Sequence, residues 1–88
     1  MVRDAQIYMK EIEIKIDDDD RPVLSVLQRS ASGMSAEDLG IELELDKMLV
    51  FYQLDRLVKQ GLVKRSRPMF LHPELYEVTA LGRAKMSA

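Results

Sequence analysis

Eighty-eight residues can build one hydrophobic core and not two, so the sequence predicts a single small domain. Hydrophobic residues make up 47% of the chain and charged residues 32%, which is typical of a globular protein, and the absence of cysteine excludes disulfides, thiolate metal sites and cysteine nucleophiles. The formal net charge of −2 argues against a uniformly basic protein. No apolar run reaches the roughly 18 to 20 residues of a membrane span, so we expect a cytoplasmic protein with no membrane partner.

The N-terminal part of the chain differs in character from the rest. We interpret residues 1–19 as an extension and residues 20–88 as the domain proper. Two conformations remain open for residues 5–16, because the apolar side chains fit either a helical stripe or, over residues 11–16, a strand in which isoleucines alternate with charged residues. The β-branched isoleucines favour the strand. The extension is more apolar than a solvated tail, so we expect it to pack on the core and to contribute to a homodimer contact.

A run of four aspartates occupies residues 17–20. Hard cations such as calcium bind several carboxylates, but a calcium loop places its acids at alternate positions around a glycine, whereas Arg21 and Pro22 interrupt this run. The run therefore predicts a solvated linker and no metal site. We expect Asp20 or a neighbour to cap a helix that has Pro22 in its first turn.

Apolar residues at helical spacing predict three helices. The first covers residues 22–31, and the second begins at Ser35, whose hydroxyl is placed to cap it. The third covers residues 47–60, with Asp46 as its N-terminal cap and Gly61 in a left-handed C-terminal position. The side chains that these helices are expected to bury are Val23, Leu24, Val26, Leu27, Leu39, Leu43, Val50, Leu54, Leu57 and Val58.

After the third helix the pattern changes to that of a β hairpin. Residues 62–67 and 75–79 are short extended segments on either side of a loop that contains two prolines. Strand alternation places Arg65 and Arg67 on one face with Val63. The predicted fold is therefore mainly α with a small β hairpin (α+β), in the order of a winged helix-turn-helix: three helices and then the wing. The nine residues that remain leave room to begin a last helix.

Two sequence patterns span the predicted third helix and the hairpin. Residues 39–63 follow L-x-x-x-L-x-L-[SD]-x-x-x-V-x-x-x-L-x-x-L-x-x-x-G-L-V, and residues 76–83 read YEVTALGR. In order and spacing these patterns resemble MarR-like, PadR-like and related bacterial and archaeal regulators, whose wing is closed by a Y-x-L-T-x-x-G-R segment. The resemblance implies a transcriptional regulator that binds double-stranded DNA. One departure is Glu44, which stands where a glycine commonly precedes the third helix, so the turn must use a less permissive residue or another geometry.

Basic charge is concentrated in the predicted third helix and hairpin. Residues 47–67 contain six basic residues and one acidic residue. The resemblance implies that the third helix enters the major groove and that the hairpin lies against the backbone or the minor groove. The candidate DNA-binding residues are Lys47, Met48, Phe51, Tyr52, Arg56, Lys59, Lys64, Arg65 and Arg67. Only Arg56, among those of the helix, carries the fork of donors that holds guanine at two points.

The apolar residues of the third helix leave other interpretations open. Met48 and Phe51 stand where many DNA-binding helices have polar side chains. The alternative function is therefore a winged-helix protein-interaction module that uses the apolar face around Phe51. Leu49, Phe51 and Tyr52 would otherwise belong to the core or contact a second subunit.

No group of residues in the sequence suggests catalysis. His72 is the only histidine and lies between Leu71 and Pro73, so neither a histidine metal pair nor a catalytic triad can be assembled in the usual way. Glycine-rich phosphate-binding loops are also missing from the sequence. We therefore predict a protein that is not an enzyme and has no catalytic residues, metal or cofactor.

Overall fold

The computed structural model describes residues 16–30, 32–67 and 73–87. The elements follow one another as a 3-10 turn (Asp18–Asp20), α1 (Arg21–Arg29), α2 (Ala36–Leu43), α3 (Lys47–Lys59), β1 (Val63–Ser66), β2 (Leu75–Val78) and α4 (Ala80–Ser87). The two strands pair antiparallel and form the hairpin. The predicted mainly α fold with three helices and a wing is confirmed, and the chain continues directly from the hairpin into α4.

One hydrophobic core lies between the helices and the inner face of the hairpin. Val50, Leu54 and Leu57 are fully buried because their spacing aligns them along one face of α3. Leu43 and Val58, also expected inside, lie half-buried at the edge of this core and pack against it. The other buried hydrophobic residues are Val23, Leu24, Val26, Leu27, Ala36, Leu39, Leu62, Val63, Tyr76 and Val78.

Side-chain caps start the two helices of the helix-turn-helix. The Ser35 hydroxyl accepts a hydrogen bond from the backbone N–H of Asp38 at 3.1 Å, at the beginning of α2. The Asp46 carboxylate accepts from the backbone N–H of Met48 at 3.1 Å, at the beginning of α3. Each cap satisfies an N–H group that the first turn of a helix leaves without an intrahelical partner. Both predicted caps are confirmed.

Two residues with left-handed backbone end α2 and α3. Gly61 has a φ of 81°, a conformation that glycine adopts without a steric penalty, as predicted. Glu44 has a φ of 55° and a ψ of 43°, and its backbone N–H donates to the carbonyls of Gly40 and Ile41. The turn before α3 therefore keeps the left-handed geometry that a glycine would supply, at the energetic cost of a residue that carries a Cβ.

Thr79 fixes the base of the hairpin to the end of α3. Its backbone N–H donates to the Leu62 carbonyl at 3.0 Å, and its hydroxyl donates to the Gly61 carbonyl at 2.7 Å. The same hydroxyl accepts from the backbone N–H of Gly82 at 3.0 Å. Gly82 packs so closely that a Cβ there would collide with the Leu62 carbonyl oxygen and the Val78 side chain. The T-x-x-G part of the wing-closing segment therefore holds the hairpin and the start of α4 against the end of α3.

The aspartate run differs from its predicted role as a solvated linker. Residues 17–19 are exposed, but Asp20 is only 2% exposed. Asp20 occupies the position before α1, yet its side chain makes no capping hydrogen bond there. Its carboxylate instead accepts from Arg56 Nη2 of α3 at 2.6 Å. The prediction of a solvated, capping Asp20 is therefore wrong, because the charge of Arg56 compensates the carboxylate in the interior.

Some predictions lie outside the described residues. The two conformations proposed for residues 5–16 and the dimer contact of the extension belong almost wholly to this group. Ile16, the first described residue, is half-buried and packs against the core. The loop position predicted for His72 also falls outside.

Candidate nucleic-acid interface

The side of α3 opposite the core forms an exposed surface, which we call the outer face of α3. Its residues are Lys47, Met48, Phe51, Tyr52, Asp55 and Lys59. Met48 is 71% exposed, Tyr52 72% and Phe51 37%, and Leu49 beside them is exposed as well. The interpretation of Leu49, Phe51 and Tyr52 as core residues is therefore wrong. Helical spacing explains this, because the buried positions of α3 lie on the opposite side of the helix axis.

The outer face of α3 and the hairpin border one shallow groove of about 380 Å³. Its lining combines the apolar centre of α3 with the inner surface of the wing: Met48, Phe51, Tyr52, Asp55, Arg65, Glu74 and Tyr76. On the other side of Phe51, a second concavity of about 220 Å³ reaches from Lys47 to the beginning of α2 and includes Arg67. The fold thus brings four of the predicted helix residues and two of the predicted wing residues onto one continuous surface: Lys47, Met48, Phe51, Tyr52, Arg65 and Arg67.

An ion pair joins the wing to α3 inside this groove. Arg65 Nη2 donates to Asp55 Oδ1 at 3.1 Å, and its guanidinium lies 5.5 Å from the centroid of the Tyr76 ring. Lys59 Nζ lies 3.2 Å from the other oxygen of Asp55. The hydrogen bonds from Arg65 and Lys59 hold the pKa of Asp55 below its ordinary value, and the Asp55 carboxylate raises the pKa of Arg65. Sequence reasoning missed Asp55, although it is the single acid of the basic segment.

Two further cations of this surface, Lys47 and Arg67, make only long ion pairs. Lys47 Nζ lies 3.8 Å from a carboxylate oxygen of Glu37 and 5.7 Å from the centroid of the Phe51 ring. Arg67 Nη2 lies 3.9 Å from a Glu74 oxygen. Exposed ion pairs at such distances contribute little to stability, so both cations are available to an incoming anion.

Lys64 is separated from the other wing cations by the alternation of the strand. It lies opposite Glu77 in the hairpin register, between Val63 and Arg65, and so belongs to the other face of β1. Among the described residues it has no ion-pair partner within 4.0 Å. The structure therefore does not bring Lys64 together with the groove residues.

Arg56 is directed away from the outer face of α3. Its guanidinium donates to the buried Asp20 carboxylate, and Gln53 Nε2 donates to the Asp19 carbonyl at 3.2 Å and to Asp20 Oδ1 at 3.4 Å. These groups border a cleft of about 550 Å³ between the start of α1 and α3. The one side chain of the helix that was expected to hold guanine at two points is thus engaged in joining α3 to the start of α1.

Two further predictions concern metal sites and membrane-spanning helices. Within residues 16–30, 32–67 and 73–87, no three His, Cys, Asp or Glu side chains are grouped so that they could hold a metal ion. The helices of the described parts of the chain are all too short or too polar to cross a lipid bilayer.

Comparison with known proteins finds a matching family profile and a similar solved structure. A family profile described as "MarR family" matches residues 23–68, which is more than half of the chain. The fold is similar to the crystal structure of wild-type MarR from E. coli in its apo form, with 27% sequence identity and a TM-score of 0.72. That match covers 91% of this chain and 58% of the E. coli chain. No curated protein matches the sequence.

Proposed function

Because the chain belongs to the MarR family, we propose that it is a transcriptional regulator that binds double-stranded DNA through the outer face of α3 and the hairpin. The supporting observation is the continuous exposed surface formed by α3 and the wing, in which Lys47 and Arg67 lie beside an apolar centre and Lys59 pairs with Asp55. In a helix-turn-helix the residues of the third helix reach the base edges while basic side chains around them contact phosphates.

Local charge supports this function despite the acidic average of the chain. Phosphate contacts act within a Debye length of about 8 to 10 Å, so the field at the groove matters more than the net charge of −2. Asp55 is the single acid on the outer face of α3, and it is held between Lys59 and Arg65 at 3.2 and 3.1 Å. Its charge is thereby compensated. With Glu37 and Glu74 also counted, the four cations Lys47, Lys59, Arg65 and Arg67 leave this surface with an excess of one positive charge.

The deciding experiment measures how salt affects binding of a labelled random-sequence duplex by fluorescence anisotropy. We expect the affinity of the wild-type protein to fall steeply as salt rises. Arg67→Ala should weaken binding about tenfold at roughly 0.1 M salt and reduce the salt slope by about one unit, because one phosphate contact is lost. Lys64→Ala is the matched control, since it removes the same charge from the other face of β1.

Two outcomes would contradict the proposal. If wild-type protein does not bind duplex at low salt, the exposed apolar face around Phe51 favours the alternative function, a protein-interaction module. If Arg67→Ala and Lys64→Ala weaken binding equally, the surface formed by α3 and the wing is not the contact surface, and only diffuse charge attraction remains.

We propose in addition that the protein is a homodimer, in which residues 1–19 form an extension that contacts the partner and residues 20–88 form the DNA-binding domain. Two-fold symmetry lets two third helices read half-sites about one helical turn apart. Ile16, the last residue of the apolar stretch, packs against the core. Sedimentation equilibrium of the full chain at micromolar concentration should give twice the monomer mass of 10.1 kDa, and a monomer throughout would refute the dimer.

A further inference from the structure

The outer face of α3 lacks the side chains that usually read bases by hydrogen bonding. Guanine is held at two points by arginine, and adenine by asparagine or glutamine. The chain contains no asparagine. The single glutamine of α3, Gln53, donates to the Asp19 carbonyl and to Asp20, and its single arginine, Arg56, pairs with Asp20. Neither group faces the groove between α3 and the hairpin.

Lys47 is the one charged side chain that remains in the first turn of α3 for a base contact. An ammonium group is a point charge without the planar fork that fixes a base pair at two points, so it discriminates weakly. Its Nζ lies 3.8 Å from Glu37 and 5.7 Å from the centroid of the Phe51 ring, at the side of the outer face. Lys47 therefore suits a phosphate better than a base edge.

Apolar side chains occupy the place where a third helix meets the bases. Met48 lies in the first turn of α3 and is 71% exposed, and Phe51 follows one turn later, partly exposed, in the same groove. The only apolar group on the floor of the major groove is the 5-methyl group of thymine. Methionine is unbranched and polarizable, and it adapts to irregular apolar contacts of this kind.

The charges around this apolar centre fit a polyanion and not an apolar protein surface alone. Lys47 and Arg67 line the second concavity beside Phe51, and Lys59 Nζ lies 3.2 Å from Asp55, which lines the groove. The acids of this surface are each paired: Asp55 lies 3.1 Å from Arg65, Glu74 lies 3.9 Å from Arg67, and Glu37 lies 3.8 Å from Lys47. We propose that α3 recognises thymine through its 5-methyl groups, with Met48 as the main reader and Phe51 beside it, so that the protein selects duplexes by apolar contact. This inference rests on the proposed DNA-binding function.

The test replaces thymine by uracil, which differs only in lacking the methyl group. Duplexes are first selected from a randomised pool by the wild-type protein, and the best duplex is then made with dU in place of dT at one position at a time. At each contacted position we expect the Kd to rise about fourfold, which corresponds to one buried methyl group. The measurement is fluorescence anisotropy at fixed salt.

The variant Met48→Ala shows whether α3 is responsible. In this variant the ratio of the Kd values for the dU and dT duplexes should fall towards one, and because Met48 is exposed its removal should leave the fold intact. Arg67→Ala is the matched control: it should weaken binding to both duplexes by the same factor and preserve their ratio.

The outcomes separate this inference from the function on which it rests. No binding to any duplex at low salt overturns both. Binding that is indifferent to dU at every position overturns thymine recognition and leaves DNA binding in place. A dU effect that persists unchanged in Met48→Ala overturns the assignment to Met48, because the methyl group then acts through Phe51 or through the shape of the duplex.

Discussion

Replacing Arg56 by methionine is expected to lower the free energy of unfolding by about 3 kcal/mol, since the substitution leaves the buried Asp20 carboxylate without its charged partner. Asp20 is 2% exposed, and its other hydrogen bond, from Gln53 Nε2, is long at 3.4 Å. A small domain is stable by only about 5 to 15 kcal/mol, so the loss is a large fraction of the total. Urea denaturation of the full chain, followed by circular dichroism, measures it.

Substitution of Asp20, the other partner of the pair, should lower the free energy of unfolding by less than substitution of Arg56. Asp20→Asn keeps an oxygen in the same place and leaves Arg56 with access to water, because the Arg56 side chain is 38% exposed. We therefore expect a loss of about 1 kcal/mol, the value of a typical hydrogen bond.

A double substitution tests whether the loss of stability in Arg56→Met comes from the unpaired Asp20 carboxylate. In Asp20→Leu combined with Arg56→Met, both charges are replaced by apolar groups of similar size, and such replacements are often neutral. The double variant should be more stable than Arg56→Met alone by about 2 kcal/mol. Equal and small losses in Arg56→Met and Asp20→Asn would show that the 2.6 Å contact contributes little, and that Arg56 is free to turn towards DNA.

The ion pair between Asp20 and Arg56 could not be predicted from the sequence, whereas several local features could. The caps at Ser35 and Asp46 and the left-handed Gly61 were predictable, because each depends on residues within a few positions of the helix end. The burial of Asp20 depends on Arg56, which is 36 residues away in the sequence. Without that partner, four consecutive aspartates have the composition of a solvated segment.

In the candidate site, too, the sequence predicted the directions of some side chains but not the contacts between elements. Helical spacing favoured an outward direction for Met48, although the sequence left open whether Phe51 and Tyr52 belong to the core. Strand alternation predicted that Arg65 shares a face with Val63. That Arg65 meets Asp55 depends on the position of the hairpin against α3, which Thr79 helps to fix. A periodic pattern gives the direction of a side chain within its own element but not its partner in the next one.

Substitutions of the two partners Arg65 and Asp55 are expected to change DNA affinity in opposite directions. Arg65→Ala removes a cation, leaves the charge of Asp55 only partly compensated by Lys59, and releases the contact with the Tyr76 ring. We expect binding to a random duplex to weaken about a hundredfold at roughly 0.1 M salt, as for the loss of two phosphate contacts.

Asp55→Asn should instead tighten binding about tenfold under the same conditions, because one negative charge is removed from the groove while the amide oxygen still accepts from Arg65. Asp19→Asn makes the same change of charge at an exposed residue of the 3-10 turn and is the matched control. Its effect on affinity should be much smaller. Arg65→Lys, which keeps the charge and removes the planar guanidinium, should lie between wild type and Arg65→Ala.

The pH dependence follows from the lowered pKa of Asp55. A carboxylate whose pKa is depressed by folding contributes stability above its unfolded value and loses it as the pH falls through the folded pKa, which here lies below 3.8. Asp55 therefore stays charged from about pH 5 to 8, and the affinity ratio between Asp55→Asn and wild type should be constant over that range. A ratio that changes between pH 5 and 8, or a loss of affinity in Asp55→Asn, would show that Asp55 supports DNA binding by positioning the wing and does not oppose it by its charge.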